Sequence, residues 1–273
     1  MLEPSLIDEL VQRLMQARAT RVPTRQCSKL HPDMTLEDAY AVQRAWVARE
    51  VASGRTVRGR KIGLTSRAIQ HSFGASEPTH APLMDDMFFA EGGPLPIDRF
   101  VAPRIEAELA FVLARPLRGP GVTLPDALGA IAYATPALEI IDARMELIDS
   151  QTRGARTVVD QVADFGTCAG IVVGGSPVRP EDVDLRRVGA IVSRNGVIEE
   201  TGLSAAVLNH PVNAVAWLAN RLAAEGQRLE AGELILAGAF TRPLPISPTD
   251  TVHVDYGELG SVAFHCTTHG ASR

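Results

Sequence analysis

Residues 105–113 read Ile-Glu-Ala-Glu-Leu-Ala-Phe-Val-Leu, an apolar run broken by two glutamates two positions apart. The run is rich in strand formers and ends at Ala114-Arg115-Pro116, which predicts a β-strand. Side chains on a strand alternate faces. Ile105, Ala107, Leu109 and Phe111 then share one face, and Glu106, Glu108, Ala110 and Val112 the other. The constraint on the fold is severe. One face must enter a core while the other gives two adjacent anions a partner. Desolvated carboxylates are paired, protonated or bound to a cation.

A second apolar run, Pro136-Ala137-Leu138-Glu139-Ile140-Ile141, carries a third glutamate in similar surroundings. Three such carboxylates suit a hard divalent ion completed by water and substrate oxygens. The plainer alternative is a solvated face on which Glu106 and Glu108 pair with arginines. Arg104 and Arg144 stand next to the two runs and could neutralise them or form simple surface pairs. Asp142, Asp160 and Asp164 are candidates for supporting groups behind the carboxylates. Lys61, in Gly59-Arg60-Lys61-Ile62-Gly63-Leu64-Thr65-Ser66, could shuttle protons if an apolar pocket lowers its pKa, or could simply extend to solvent. His80 and His210 are candidate acid–base residues.

The totals exclude several classes. With 32 acidic and 27 basic residues the net charge is −5, and no basic block stands out, so no nucleic-acid partner is expected. There is no apolar run of about 18 residues, so no membrane span is expected. The first residues lack the basic-then-apolar pattern of a secretory leader. Cys27, Cys168 and Cys266 are widely spaced and odd in number, forming no metal or disulfide pattern, and a cytoplasmic setting is expected. No P-loop, Rossmann, H-E-x-x-H or G-x-S-x-G motif occurs.

Helical spacing of Leu6, Ile7, Leu10, Leu14 and Met15 predicts a helix over residues 5–19. Thr35 is the expected cap of a second helix reaching about Ala52, with Glu37 and Asp38 in its first turn. A strand follows at residues 57–64, then a long irregular segment over 65–100. A short helix is expected at 125–134 and a mobile loop or short helix at 145–165. Asn195-Gly196 predicts a hairpin between strands at 188–194 and 197–200. A long helix is expected over 205–224, with strands at 168–174, 233–239, 251–256 and 260–265. Helices come first and strands dominate afterwards, which argues for an α+β fold. It divides into a helical part over 1–55 and a β-rich body over 56–273, within one integrated domain.

Taken together, Lys61-Ile62-Gly63-Leu64-Thr65-Ser66, Pro103-Arg104-Ile105-Glu106-Ala107-Glu108 and Pro136-Ala137-Leu138-Glu139-Ile140-Ile141-Asp142-Ala143-Arg144 resemble the hydratase/decarboxylase branch of the fumarylacetoacetate hydrolase superfamily. Asn195 to Gly202, Leu208-Asn209-His210-Pro211 and Phe240-Thr241-Arg242-Pro243 fit the same pattern, and the likeness spans about residues 5–265. The resemblance implies a mixed β-roll, homo-oligomeric assembly, and Mg²⁺ or Mn²⁺ held by Glu106, Glu108 and Glu139. It implies Lys61 as an active-site lysine and an unsaturated 2-oxo (di)acid as substrate. The expected reaction is addition of water, with 2-oxohept-4-ene-1,7-dioate favoured by Leu83 to Phe89. Decarboxylation of a 4-oxalocrotonate-like acid, or a non-catalytic partner role, is the alternative.

Arg104, Arg144 and Thr241 are the substrate-binding candidates, with Asp142 and Asp160 as supporting groups. Two positions depart from the family pattern. Pro78-Thr79-His80-Ala81 stands where the hydratases carry Pro-Asp-Tyr-Gly, and Asp164-Phe165-Gly166 where they carry Asp-Asn-Ala. His80 or a metal-ordered water is the candidate replacement for the missing acid, and Phe165 is expected to remove an amide from the pocket region.

Overall fold

The glutamate-bearing run forms a ten-residue strand at the centre of a large sheet. The computed structural model describes residues 2–268. Its helices are α1 (Pro4–Thr20), α2 (Cys27–Leu30), α3 (Leu36–Ala52), α4 (Arg67–Phe73), α5 (Leu124–Ala130), α6 (Val158–Ala163) and α7 (Pro211–Ala223). The first seven strands are β1 (Val57–Gly63), β2 (Thr79–Met84), β3 (Phe88–Phe89), β4 (Pro94–Pro96), β5 (Arg104–Leu113), β6 (Ile131–Ile141) and β7 (Cys168–Val173). The remainder are β8 (Gly189–Arg194), β9 (Val197–Leu203), β10 (Leu234–Leu236), β11 (Leu244–Pro245), β12 (Thr251–Asp255) and β13 (Ser261–Thr267).

Two mixed sheets make the β-roll. The larger runs β2-β1-β10-β5-β6-β7-β3, with β11 also pairing to β5. The smaller runs β4-β13-β12-β8-β9. The alternation on β5 decides what lies on either side. Ile105, Ala107, Leu109 and Phe111 enter a core shared with Val252, Val254, Val262 and Phe264 of the smaller sheet and with α5 and α7. On the opposite face Ala110 joins a second core, built with Leu10 and Leu14 of α1, Tyr40 and Trp46 of α3, and Val162 of α6. The helices of residues 1–55 therefore lie on the larger sheet. This cover ends before Glu106 and Glu108, whose stretch of β5 faces a cavity.

Local chemistry sets the element ends. Thr35 caps α3 in a capping box with Asp38, each side chain accepting the other's backbone N–H. The expected helix over 205–224 starts only at Pro211. Leu208 and Asn209 have φ of 45° and 65°, His210 Nδ1 accepts from the Val212 amide, and Pro211 takes the first turn, where its missing N–H costs nothing. The segment 65–100 is more regular than expected: it holds α4, β2, β3 and β4. Within 145–165 only Val158–Ala163 is α-helical. The 125–134 helix stops at Ala130, after which β-branched Ile131 opens β6. Among the described residues no helix is long and apolar enough to cross a membrane.

Candidate metal centre and active site

Antiparallel pairing of β5 with β6 places Glu106 directly opposite Glu139 and Glu108 opposite Ala137. Like charges at directly paired positions repel, so the register itself calls for a counter-charge. One oxygen from each of Glu106, Glu108 and Glu139 lies within 4.8 Å of the others. Glu108 and Glu139 are each 1% exposed and Glu106 is half-buried. Lys61, on β1, is also buried; its Nζ lies 3.1 Å from Glu139 Oε1 and 3.4 Å from Oε2. Only the longer contact has hydrogen-bond geometry, so Glu139 Oε1 keeps no aligned donor.

The edge of β5 is interrupted where the glutamates stand. β10 pairs with residues 110–112 and β11 with 104–105. Between them the chain stays bonded to β5, the Ala237 and Phe240 amides donating to the Leu109 and Ala107 carbonyls at 3.0 and 3.1 Å. The Gly238 amide donates to Glu108 Oε2 at 2.8 Å, and Thr241 Oγ1 accepts the Ala107 amide at 2.9 Å. Gly238 has φ of +116°, a left-handed geometry that glycine adopts freely.

Burial, followed by the Glu139 charge, pushes the Glu106 carboxyl up to about 8, against the pull of Lys61 and Arg104. Glu108 is driven up for the same leading reasons. Burial alone would lower Lys61, but the Glu139 charge, helped by Cys168, Glu108 and Glu106, outweighs it and holds the ammonium above its ordinary value. Lys61 is therefore not a lowered-pKa lysine in the metal-free protein, contrary to the expectation from its pocket. Three carboxylates against one ammonium sum to −2 when ionised, which a divalent cation would neutralise. All-oxygen carboxylate donors with an orphaned lone pair fit a hard ion such as Mg²⁺ or Mn²⁺.

These groups open onto a cavity of about 630 Å³, a size typical of small-molecule sites. Arg104, Asp142 and Thr241 line it. Arg104 continues the row of Glu106 and Glu108, two residues along the same face of β5. Asp142 is occupied in bracing the chain before β5, accepting the Val101 and Ala102 amides at 2.9 and 2.7 Å. Asp160 lies away from the cavity wall; it caps α6 through Thr157 and holds Ser28.

Two expected residues are placed elsewhere. Arg144 is buried in a Trp46-lined recess, where its guanidinium is consumed by Asp164 and by the Cys168 carbonyl. It does not line the cavity that holds the three glutamates. His80 lies on β2, where alternation sends it away from Thr79 and Ala81. It stacks on Tyr40 with ring centroids 4.9 Å apart and faces Glu225 across a separate cavity of about 230 Å³. Burial lowers its pKa, with Glu225 opposing. Phe165 also turns from the main cavity, packing edge-on to Trp46 at 4.6 Å.

Sequence reading passed over Arg156 and Gln161, which line the cavity. Arg156 Nη1 is buried with no hydrogen-bond partner, although the Asp164 and Asp160 charges act on its guanidinium. The polar, arginine-bearing character of 145–165 was the available signal, but nothing in the spacing said which arginine turns inward.

The family model described as fumarylacetoacetate (FAA) hydrolase C-terminal matches residues 66–266. The chain is 55% identical over 254 residues to a 2-oxo-hept-4-ene-1,7-dioate hydratase of Escherichia coli, covering 93% of this chain and 95% of that one. It is 37% identical to a 4-oxalocrotonate decarboxylase of Pseudomonas putida over 85% of this chain and 86% of the other. The solved structure of 4-oxalocrotonate decarboxylase from Pseudomonas putida G7, complexed with magnesium and adipate, superposes with a TM-score of 0.92 at 34% identity, covering 97% of this chain and 99% of that chain. Motifs, β-roll and these likenesses agree: the chain belongs to the fumarylacetoacetate hydrolase family.

Proposed function

We propose that this protein is a divalent-cation-dependent hydratase. It converts 2-oxohept-4-ene-1,7-dioate to 4-hydroxy-2-oxoheptanedioate in the breakdown of aromatic compounds. The observation that carries this reading is the Glu106–Glu108–Glu139 cluster beside Lys61, in a cavity also lined by Arg104 and Arg156. The likeness to the E. coli 2-oxo-hept-4-ene-1,7-dioate hydratase supports the substrate. Glu106, Glu108 and Glu139 would hold Mg²⁺ or Mn²⁺, and the ion would supply Lewis-acid stabilisation of the enolate formed when the 2-oxo acid loses a proton at C3.

The remaining work falls to the protein's own groups. Lys61 removes a proton at C3 and returns one at C5, moving the double bond from C4–C5 to C3–C4, in conjugation with the 2-oxo group. Water then adds across it, hydroxyl to C4 and hydrogen to C3. Neutralising the carboxylates removes the field that holds the Lys61 proton, while burial still disfavours the ammonium. Arg104 and Arg156 receive the distal carboxylate, Arg156 taking the place expected of Arg144, and Thr241 holds the wall beside Ala107. Arg156→Met raises KM for the seven-carbon diacid by roughly 10-fold or more while leaving a monocarboxylate analogue little changed. Equal effects on both compounds would remove Arg156 from that role.

Decarboxylation is the second reading. The acids lining the cavity outside the cluster, Asp142 and Glu200, are both committed, to backbone amides and to Arg242. No free carboxylate is left to act as base for water, and loss of CO₂ needs none. Magnesium-dependent consumption of the substrate, followed by NMR and abolished by chelation, tests the metal requirement of both readings. Activity that survives chelation would sink both.

We also propose that copies of the chain associate in the cytoplasm. Val197, Ile198 and Leu203 are exposed on β9, an edge strand, with Ile191 on the neighbouring strand. Sedimentation velocity showing only monomer at micromolar concentration would reject the association.

A further inference from the structure

The β1–β2 register sets Gly63 opposite Thr79, at the position where the family pattern leads one to expect an aspartate. A side chain at Gly63 would begin at a point 3.2 Å from Thr79 Oγ1, 3.4 Å from Lys61 Nζ and 3.9 Å from Gln161 Nε2. Three polar groups from β1, β2 and α6 thus converge on a spot that only glycine leaves open. Gly63, Lys61 and Gln161 line the cavity, and Thr79 lies just behind them, 1% exposed. Thr79 Oγ1 and Gln161 Oε1 are buried and have no protein partner. Buried polar atoms without a partner are costly, and groups in this arrangement are satisfied by an oxygen with hydrogens to give and lone pairs to offer. A water molecule needs two to four polar partners, and this spot provides them.

We infer that Thr79 and Gln161 are positioning residues that hold the adding water over the substrate, in the niche kept open by Gly63. The inference rests on the hydratase reading and deepens it. The hydroxyl of Thr79 both donates and accepts, and the Gln161 amide offers a donor and an acceptor. Neither takes the proton. They fix the oxygen's direction of approach, and misdirection of a reacting atom is costly. This accounts for a cavity in which the expected acid is replaced by a neutral hydroxyl and the candidate His80 faces elsewhere.

The test uses the magnesium-loaded full chain with 2-oxohept-4-ene-1,7-dioate in D₂O, following hydration and isotope exchange at C3 separately by NMR. Thr79→Val and Gln161→Met remove the polar groups at nearly constant volume. Gly63→Ala puts a methyl into the niche, at a residue whose backbone is not left-handed. Each lowers kcat for hydration by roughly 10- to 100-fold. KM and magnesium affinity stay within about twofold, exchange at C3 persists, and Thr79→Ser recovers most of the rate. Variants that hydrate at the wild-type rate overturn the niche. So does a loss of hydration that tracks a fall in Tm and is not recovered in Thr79→Ser. A wild-type protein that binds magnesium but does not hydrate overturns the underlying reading, and the niche with it.

Discussion

Glu106 shows how one residue's surroundings set its chemistry. Its carboxyl is held near 8 by burial and by the facing Glu139. Free glutamate titrates near about 4.3. Between those values the metal-free folded chain binds a proton that the unfolded chain has released, so stability falls as pH rises through that window. Thermal unfolding of the metal-free protein should show Tm falling from about pH 5 to about pH 8, and magnesium should abolish the fall. A Tm that rises across this range would contradict the buried-cluster account. Magnesium affinity should climb over the same interval, because the ligands must lose their protons first. Glu106→Gln removes one anionic ligand and should weaken magnesium binding by roughly 100-fold, the equivalent of about 2.7 kcal/mol, as measured by calorimetry. The alternation that put Glu106 and Glu108 on one face was legible in the sequence. The register that set Glu139 opposite Glu106, and Lys61 against Glu139, was not, because strand pairing is decided by contacts far apart along the chain.

At the level of elements, the strands and caps followed from local chemistry, and the misplacements have local causes. Thr35 was readable as a cap, and Thr35→Ala should cost about 1 kcal/mol, seen as a lowered denaturation midpoint; an unchanged midpoint would deny the capping box that role. His80 was misread because 65–100 looked irregular. Once Thr79–Met84 is a strand, period two sends His80 to the face opposite Thr79 and Ala81. Arg144 was misread because proximity to Glu139 in sequence suggested a site role. Its chain instead turns after β6, and the guanidinium closes a buried pair with Asp164 beneath Trp46. Arg144→Met should therefore destabilise the fold by about 3–5 kcal/mol, leaving Asp164 without its partner. Arg156→Met should leave Tm nearly unchanged. The reverse order in a urea titration would return Arg144 to the substrate site.

Across the molecule, the arrangement is a sheet whose two faces do different work. One face of β5 closes a core against the smaller sheet. The other is roofed by the N-terminal helices as far as Ala110 and then opens onto the cavity. Rigid strands thus carry all three carboxylates and the lysine, which favours a preorganised site. The helices-then-strands order made the α+β class legible, and the motif set made the family legible. Which arginines face the cavity was not legible, because 145–165 carries no strong period and its course is fixed by tertiary contacts.

The central claim is that this cavity adds water to an unsaturated 2-oxo diacid. The direct measurement is NMR product analysis in D₂O, with purified magnesium-loaded protein and 2-oxohept-4-ene-1,7-dioate. The account predicts a 4-hydroxy-2-oxo product carrying deuterium at C3, with all seven carbons retained. Release of CO₂, or no turnover with magnesium bound at the cluster, would contradict it.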